Sequence, residues 1–320
     1  MMKKGIYPVV HTPLDENENL DLQGLKACLE YYNQSDIPGV TLLGSGGELP
    51  YLSDSEQYAV IESAYHYLNH NKVIIAGIHA HSSKQAIDKI TSYTPYVDYV
   101  LLLLSDYYHS SFAEYLHALK QIAQHASKPI LFYYFPQITG RFFSVKQLVA
   151  ILDIDNIIGI KDSSLHIPTA RSVLSRLPET LYFSGLSLAL EPIIKMGAAG
   201  AICPIASVSP QQAQDYYNAI EYNFVGIKKC RDKLIDVLPI INSLQLAGNT
   251  QYWVLKLLTS FPVPLVKNVS SSHAKIKHAL NVMGIPINTK VRTPLPSLTS
   301  EEAEQVTNIV NGLQAKQYRN

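Results

Sequence analysis

Four short stretches carry residue types that can do carbonyl chemistry. Lys161 ends an apolar run in Gly159-Ile160-Lys161-Asp162-Ser163-Ser164. An ammonium group there is costly unless it has a use, because burial disfavours the charged form. A neutral amine can attack a ketone and form a Schiff base, whose iminium withdraws electrons. A plain lysine would instead snorkel to the rim or pair with Asp162. Tyr133 closes another apolar run, ahead of Tyr134-Phe135-Pro136-Gln137-Ile138-Thr139-Gly140-Arg141. Its phenol can pass protons to and from a substrate held by the lysine. A core aromatic is the ordinary alternative in a chain with 21 tyrosines. Gly44-Ser45-Gly46-Gly47-Glu48 combines glycines with a small hydroxyl, which lets backbone N–H groups approach a carboxylate or phosphate. The same stretch would also serve as a plain turn between strand and helix. Asp106-Tyr107-Tyr108-His109 adds two more phenols at a fourth such position.

Histidines suggest a different chemistry. His11 ends the first apolar run, His79 and His81 form an HxH pair, and His109 follows the tyrosine pair. Side chains two apart on a strand share a face, and histidines at one mouth could bind zinc in a hydrolase. An obvious set of carboxylate partners is missing, so these residues read mainly as polar lining or anion contacts.

The elements that must position these residues alternate in kind. Continuously apolar runs occupy residues 6–11, 39–43, 73–76, 99–104, 129–133, 157–160, 181–183 and 200–203. Runs without polar alternation suit strands buried on both faces. Helix-start signals lie between them: Asp21, Ser53 with Glu56 three residues on, Ser82-Ser83, Ser110-Ser111, Ser144, and Ser209-Pro210. Eight strand–helix units within roughly 210 residues predict a (β/α)8 TIM barrel. An open doubly wound sheet is the alternative. After Gln211 the pattern is helical: 211–221, 226–246, 250–259, 272–283, and a last helix from Ser300, with a Pro-rich passage at 286–296. We therefore divide the chain into a catalytic barrel, 1–224, and a C-terminal helical subdomain, 225–320.

Composition narrows the field further. The 320 residues carry 26 basic and 26 acidic side chains, which is not the basic footprint of a nucleic-acid binder. With 47% hydrophobic residues the chain folds, yet no apolar run reaches the length of a membrane span. The two N-terminal lysines precede too short an apolar stretch for a signal peptide. Cys28, Cys203 and Cys230 are odd in number and widely spaced, which fits a reducing compartment. A cytoplasmic protein is expected.

Taken in order, the glycine turn ending in Glu48, the tyrosine pair, Tyr133 with Pro136, Thr139 and Gly140, and Gly159-Ile160-Lys161-Asp162 make a specific set. The chain resembles the dihydrodipicolinate synthase / N-acetylneuraminate lyase family of class I, Schiff-base-forming pyruvate aldolases. The likeness runs over roughly residues 5 to 300. It implies that Lys161 forms the Schiff base and that Tyr133 relays protons. It implies that Ser45, in place of the family's usual threonine, links the phenols. Gly46 and Gly47 belong to the part that holds the 2-oxo acid carboxylate, but Gly46 stands where the family has a second threonine hydroxyl. Tyr108 matches a tyrosine that often reaches a neighbouring subunit's site. Its neighbours differ, with Asp106 for a usual proline and His109 for a usual asparagine. Ile202 is an expected wall of the substrate site. The resemblance also implies a homotetramer, a dimer of dimers, with no cofactor and no metal.

Departures bear on the substrate. Ile138 stands where dihydrodipicolinate synthases carry an arginine that grips the aldehyde's carboxylate, and an aliphatic chain cannot form that bidentate pair. Gly185-Leu186-Ser187-Leu188 lacks the acidic residues of sialic acid lyases. The turn through Leu52 is most similar to 4-hydroxy-2-oxoglutarate and 2-keto-3-deoxy-sugar-acid aldolases. Ser187 and Ser207 are the remaining polar candidates for the far end of the substrate. The expected partners are pyruvate and an aldehyde. Two alternatives stand beside the aldolase: a dihydrodipicolinate synthase, and a non-catalytic member that binds a small acid.

Overall fold

The computed structural model describes residues 2–223, 225–241, 247–263 and 272–317. All eight apolar runs become parallel strands: β1 (Gly5–Pro8), β2 (Gly39–Leu42), β3 (Val73–Ala80), β4 (Tyr99–Leu104), β5 (Ile130–Tyr134), β6 (Ile157–Asp162), β7 (Leu181–Ser184) and β8 (Gly200–Cys203). Strands β2 to β8 each pair with their sequence neighbours, and β8 pairs with β1. A bridge between Val9 and Thr41 closes the ring, with the Val10 N–H donating to the Thr41 carbonyl at 2.9 Å. The architecture is the expected (β/α)8 barrel.

Alternation of side chains along the strands creates two cores. Tyr7, Ile75, Leu101, Leu131, Phe183 and Ile202 fill the barrel interior. Ile6, Leu42, Ile74, Leu102, Phe132 and Ile160 face the helices. Gly200 has φ +145°, and a Cβ there would lie 1.8 Å from the Gly5 carbonyl oxygen. Only glycine lets β8 approach β1 this closely.

Helix starts follow the signals in the sequence. Asp21, Ser53, Ser82, Ser111 and Ser144 cap the helices Leu22–Asn33, Asp54–Tyr67, Ser83–Tyr93, Phe112–His125 and Val145–Leu152. Ser53, Ser111 and Ser144 form reciprocal capping boxes with Glu56, Glu114 and Gln147. Pro210 opens the helix Pro210–Glu221 at its first turn.

The tail is helical, with one break the periodicity did not show. The stretch 226–246 divides into Ile227–Ile235 and Leu238–Ile241, and residues 242–246 lie outside the described residues. Pro239 has no N–H with which to continue the first helix. Gly248–Leu258, His273–Val282 and Ser300–Gln317 complete the tail. Among the described residues no helix is long and apolar enough to cross a membrane.

Candidate active site

Register places the lysine. Lys161 lies opposite Tyr133 on β5 and Phe183 on β7, near the carboxyl end of β6. It is 4% exposed, and its Nζ sits 4.2 Å from the centre of the Tyr133 ring. Tyr133 is held by Phe135, which stacks on it at 5.5 Å. The Tyr133 phenol and the Ser45 hydroxyl are 3.3 Å apart. Lys161, Tyr133 and Ser45 therefore form one row across β6, β5 and the turn after β2.

Asp162 takes no part in that row. Its carboxylate accepts from the Ser164 N–H at 2.7 Å and from the Tyr182 hydroxyl. Burial pushes its pKa up, against those hydrogen bonds. The pairing of Lys161 with Asp162 that the sequence left open is not formed.

The glycine turn is anchored from three directions. The Thr12 hydroxyl donates to the Gly47 carbonyl at 2.7 Å. His273 Nε2 donates to the Ser45 carbonyl at 2.9 Å. Glu48, with φ +59°, is buried against Lys277, whose Nζ lies 2.5 Å from Oε1. The Arg292 N–H donates to Glu48 Oε2 at 2.8 Å, and Lys277 Nζ donates to the Lys290 carbonyl at 2.6 Å. Sequence reading missed His273 and Lys277, which sit about 230 residues from the turn. A buried Glu48 needs a counter-ion, and Lys277 beside the apolar Ile276, Ala279 and Leu280 was the available signal.

Other expected residues fall outside the row. Tyr107 and Tyr108 are 85% and 81% exposed and pack edge-on against each other at 5.0 Å. Within one chain, Tyr108 is not brought to Tyr133. Ile138 is also exposed, on the short helix Pro136–Thr139. Ile202 faces the barrel interior in the same cluster as Tyr133 and Phe183. Ser187 is buried beside the Cys203 thiol. Ser207 is fully buried and its hydroxyl donates to the Val9 carbonyl at 2.7 Å. That hydroxyl is committed to closing β1 against the segment after β8.

Arg141 is committed as well. Its guanidinium binds Asp106 in bidentate fashion, with Nε 2.6 Å from Oδ1, and Nη2 donates to the Ser110 carbonyl at 2.8 Å. Burial opposes ionisation of Asp106, but the bonds from Arg141 and Ser110 outweigh it and hold the pKa at about 2. Arg292 likewise holds Glu56 at about 2. A depressed carboxyl stabilises the fold above its unfolded value near 4 and loses that contribution as pH falls towards 2. Thermal unfolding temperature is expected to drop across that window. Asp106→Asn and Glu56→Gln each lose about 2 kcal/mol at neutral pH and converge on the parent near pH 2. Parallel pH curves for variants and parent would contradict these assignments.

His79 and His81 form one hydrogen-bonded group with Ser105. His79 lies within β3, with Nε2 2.6 Å from Ser105 Oγ, and His81 Nδ1 is 3.0 Å from the Ser105 carbonyl oxygen. Among the described residues no group of three or more His, Cys, Asp or Glu side chains is arranged to hold a metal ion.

Comparison with known proteins agrees over nearly the whole chain. The profile of the dihydrodipicolinate synthetase family matches residues 2–261. The 4-hydroxy-tetrahydrodipicolinate synthase of Methanococcoides burtonii is 25% identical over 318 residues, covering 98% of this chain and 99% of that protein. A prophage protein of the dihydrodipicolinic acid synthase family from E. coli K12, solved with pyruvate, superposes with TM-score 0.81 at 21% identity, over 98% of this chain and 99% of that one. N-acetylneuraminate lyase from Mycoplasma synoviae gives TM-score 0.75 at 22% identity, over 97% of each chain. At such identity the two solved structures speak for the fold alone.

Proposed function

This chain belongs to the dihydrodipicolinate synthetase family, and on that premise we propose that it is a class I carbon–carbon lyase working through a Schiff base on Lys161. The observation that carries the reading is the row from Lys161 through the Tyr133 ring to Ser45. It puts a buried amine, a phenol and a hydroxyl side by side at the catalytic end of a barrel.

The steps follow from that geometry. The Lys161 amine attacks C2 of a 2-oxo acid, and loss of water leaves an iminium. Tyr133 gives its proton to that departing water, and its phenolate, held by the Ser45 hydroxyl, then accepts the C4 hydroxyl proton in cleavage. The C3–C4 electron pair flows into the iminium, releasing an aldehyde and leaving an enamine. Tyr133 returns a proton to C3. Water then hydrolyses the imine to pyruvate and free lysine. In condensation the same enamine attacks an aldehyde. Every electron pair stays within substrate and lysine, so no metal or organic cofactor is required.

The carboxylate is taken to lie on the Ser45–Gly47 turn, where Ser45 and Gly46 N–H groups start a helical turn and lack acceptors within it. Ile138, Ser187 and Ile202 are assigned to the surroundings of the substrate. Tyr108, exposed in the single chain, is assigned to a partner subunit's site in a dimer of dimers. Residues 1–224 act as the catalytic barrel. Residues 225–320 act as a helical subdomain that braces the turn through His273 and Lys277.

Substrate choice rests on the cations near the site. Ile138 is aliphatic, and Arg141 is already bonded to Asp106. We assign cleavage, or the reverse condensation, of 4-hydroxy-2-oxoglutarate or a 2-keto-3-deoxy-sugar acid. The names of the full-length relatives favour a second reading, 4-hydroxy-tetrahydrodipicolinate synthase. A panel of such 2-oxo acids, scored for pyruvate release, is expected to give at least one substrate with kcat/KM well above that for pyruvate with aspartate semialdehyde. Efficient condensation with the semialdehyde and no cleavage of the panel would overturn the assignment.

A further inference from the structure

The absent side chain at Gly46 has a visible counterpart. A Cβ built on Gly46 would meet His11 Nε2, His11 Cε1 and Val9 Cγ1, all at 3.2 Å. The imidazole of His11 thus fills the space into which a side chain at position 46 would project. His11 is fully buried, and its Nε2 has no hydrogen-bond partner. A buried polar atom left unpaired costs about 1–3 kcal/mol, so a fold that keeps one has a use for it elsewhere. His11 Nδ1 is 3.2 Å from the Val9 carbonyl oxygen. A carbonyl only accepts, so Nδ1 carries the hydrogen and Nε2 is bare in the neutral ring.

This placement deepens the reading of the turn as the carboxylate seat and rests on it. We infer that His11 is a specificity-determining residue: its Nε2 takes the place of the hydroxyl missing at Gly46 and bonds the carboxylate of the 2-oxo acid. Two lone pairs cannot face each other, so one proton enters from solvent with the carboxylate. The ring becomes an imidazolium, with Nδ1–H on Val9 and Nε2–H on the ligand. Without ligand the charged ring is disfavoured by burial first, and then by its neighbours His273 and Lys277 on the helix His273–Val282. Glu48, on the turn itself, is already paired with Lys277. The carboxylate brings the counter-charge that the empty site lacks. Gly46 and His11 act as one unit, since a side chain at 46 would press on the imidazole at 11 from 3.2 Å.

The test is a double-variant comparison read by pyruvate trapping with sodium borohydride. The half-saturating pyruvate concentration is measured from the fraction of chain carrying the adduct. His11→Ala is expected to raise it about 10- to 100-fold, the loss of a hydrogen bond to a charged group. Adding Gly46→Thr to His11→Ala is expected to restore most of the affinity, because the hydroxyl regains the vacated space. Gly46→Thr alone is expected to weaken trapping, as it collides with His11. An unchanged value for His11→Ala, or no rescue by the added threonine, overturns the inference while leaving the Schiff base intact. If the parent chain gives no adduct, the Schiff-base reading fails first and the inference with it. If His11→Ala does not fold, nitrogen-15 spectra of the histidine-labelled parent decide. Pyruvate should then protonate one bare Nε2, and the absence of any such change overturns the proposal.

Discussion

Lys161→Ala loses turnover by about four orders of magnitude or more, as removal of a covalent nucleophile does. No other residue of the row can replace it, since Tyr133 and Ser45 contribute oxygens and only an amine forms an iminium. The barrel is expected to stay folded. Lys161 contacts the Tyr133 ring and is not part of a buried ion pair among the described residues. Its removal therefore strands no counter-ion, and the surrounding Phe183 and Ile202 already fill the interior. Circular dichroism and an unfolding midpoint close to the parent, alongside the lost pyruvate release, would meet this expectation. Retained turnover in Lys161→Ala would contradict the whole mechanism.

Lys277→Met is expected to destabilise the chain by about 3–5 kcal/mol. Lys277 and Glu48 are 0% and 1% exposed. Burial pulls the Lys277 pKa down and the Glu48 carboxylate pulls it back only in part, so the ammonium survives there because Glu48 faces it. Removing the lysine leaves a carboxylate buried without its cation, which is far more costly than losing the pair together. Combining Lys277→Met with Glu48→Gln should recover a large part of the loss. Urea unfolding of the parent, the single variant and the double variant measures this directly. Glu48 follows the Ser45–Gly47 turn, so the single variant should also lower kcat. A midpoint equal to the parent's would show that the pair neither holds the tail to the barrel nor anchors the turn.

What could be read from the sequence was local. Apolar runs located all eight strands because burial on both faces leaves no polar residue to blur them. Ser53, Ser111 and Ser144 marked helix starts because a cap and its third neighbour lie within one turn. The row of Lys161 and Tyr133 was legible because adjacent parallel strands carry residues at their ends into register. Pairing extended β3 to Ala80 against β4, with His79 opposite Leu103, although its own apolar run stops at Ala76. What escaped was long-range. Nothing near Ser45 announces His273, and nothing near Arg141 announces Asp106, 35 residues earlier. The Ser207 hydroxyl reads as a free polar group until the fold brings the Val9 carbonyl beside it. Conversely, the reason for glycine at 46 lies at His11, in another strand's loop.

The central claim, a Schiff base on Lys161, is tested most directly by borohydride reduction in the presence of pyruvate, followed by peptide mass mapping. A single reduced pyruvate imine on the peptide containing Lys161 is expected, absent from Lys161→Ala. Turnover with no trapped adduct, or an adduct on a different lysine, would contradict it.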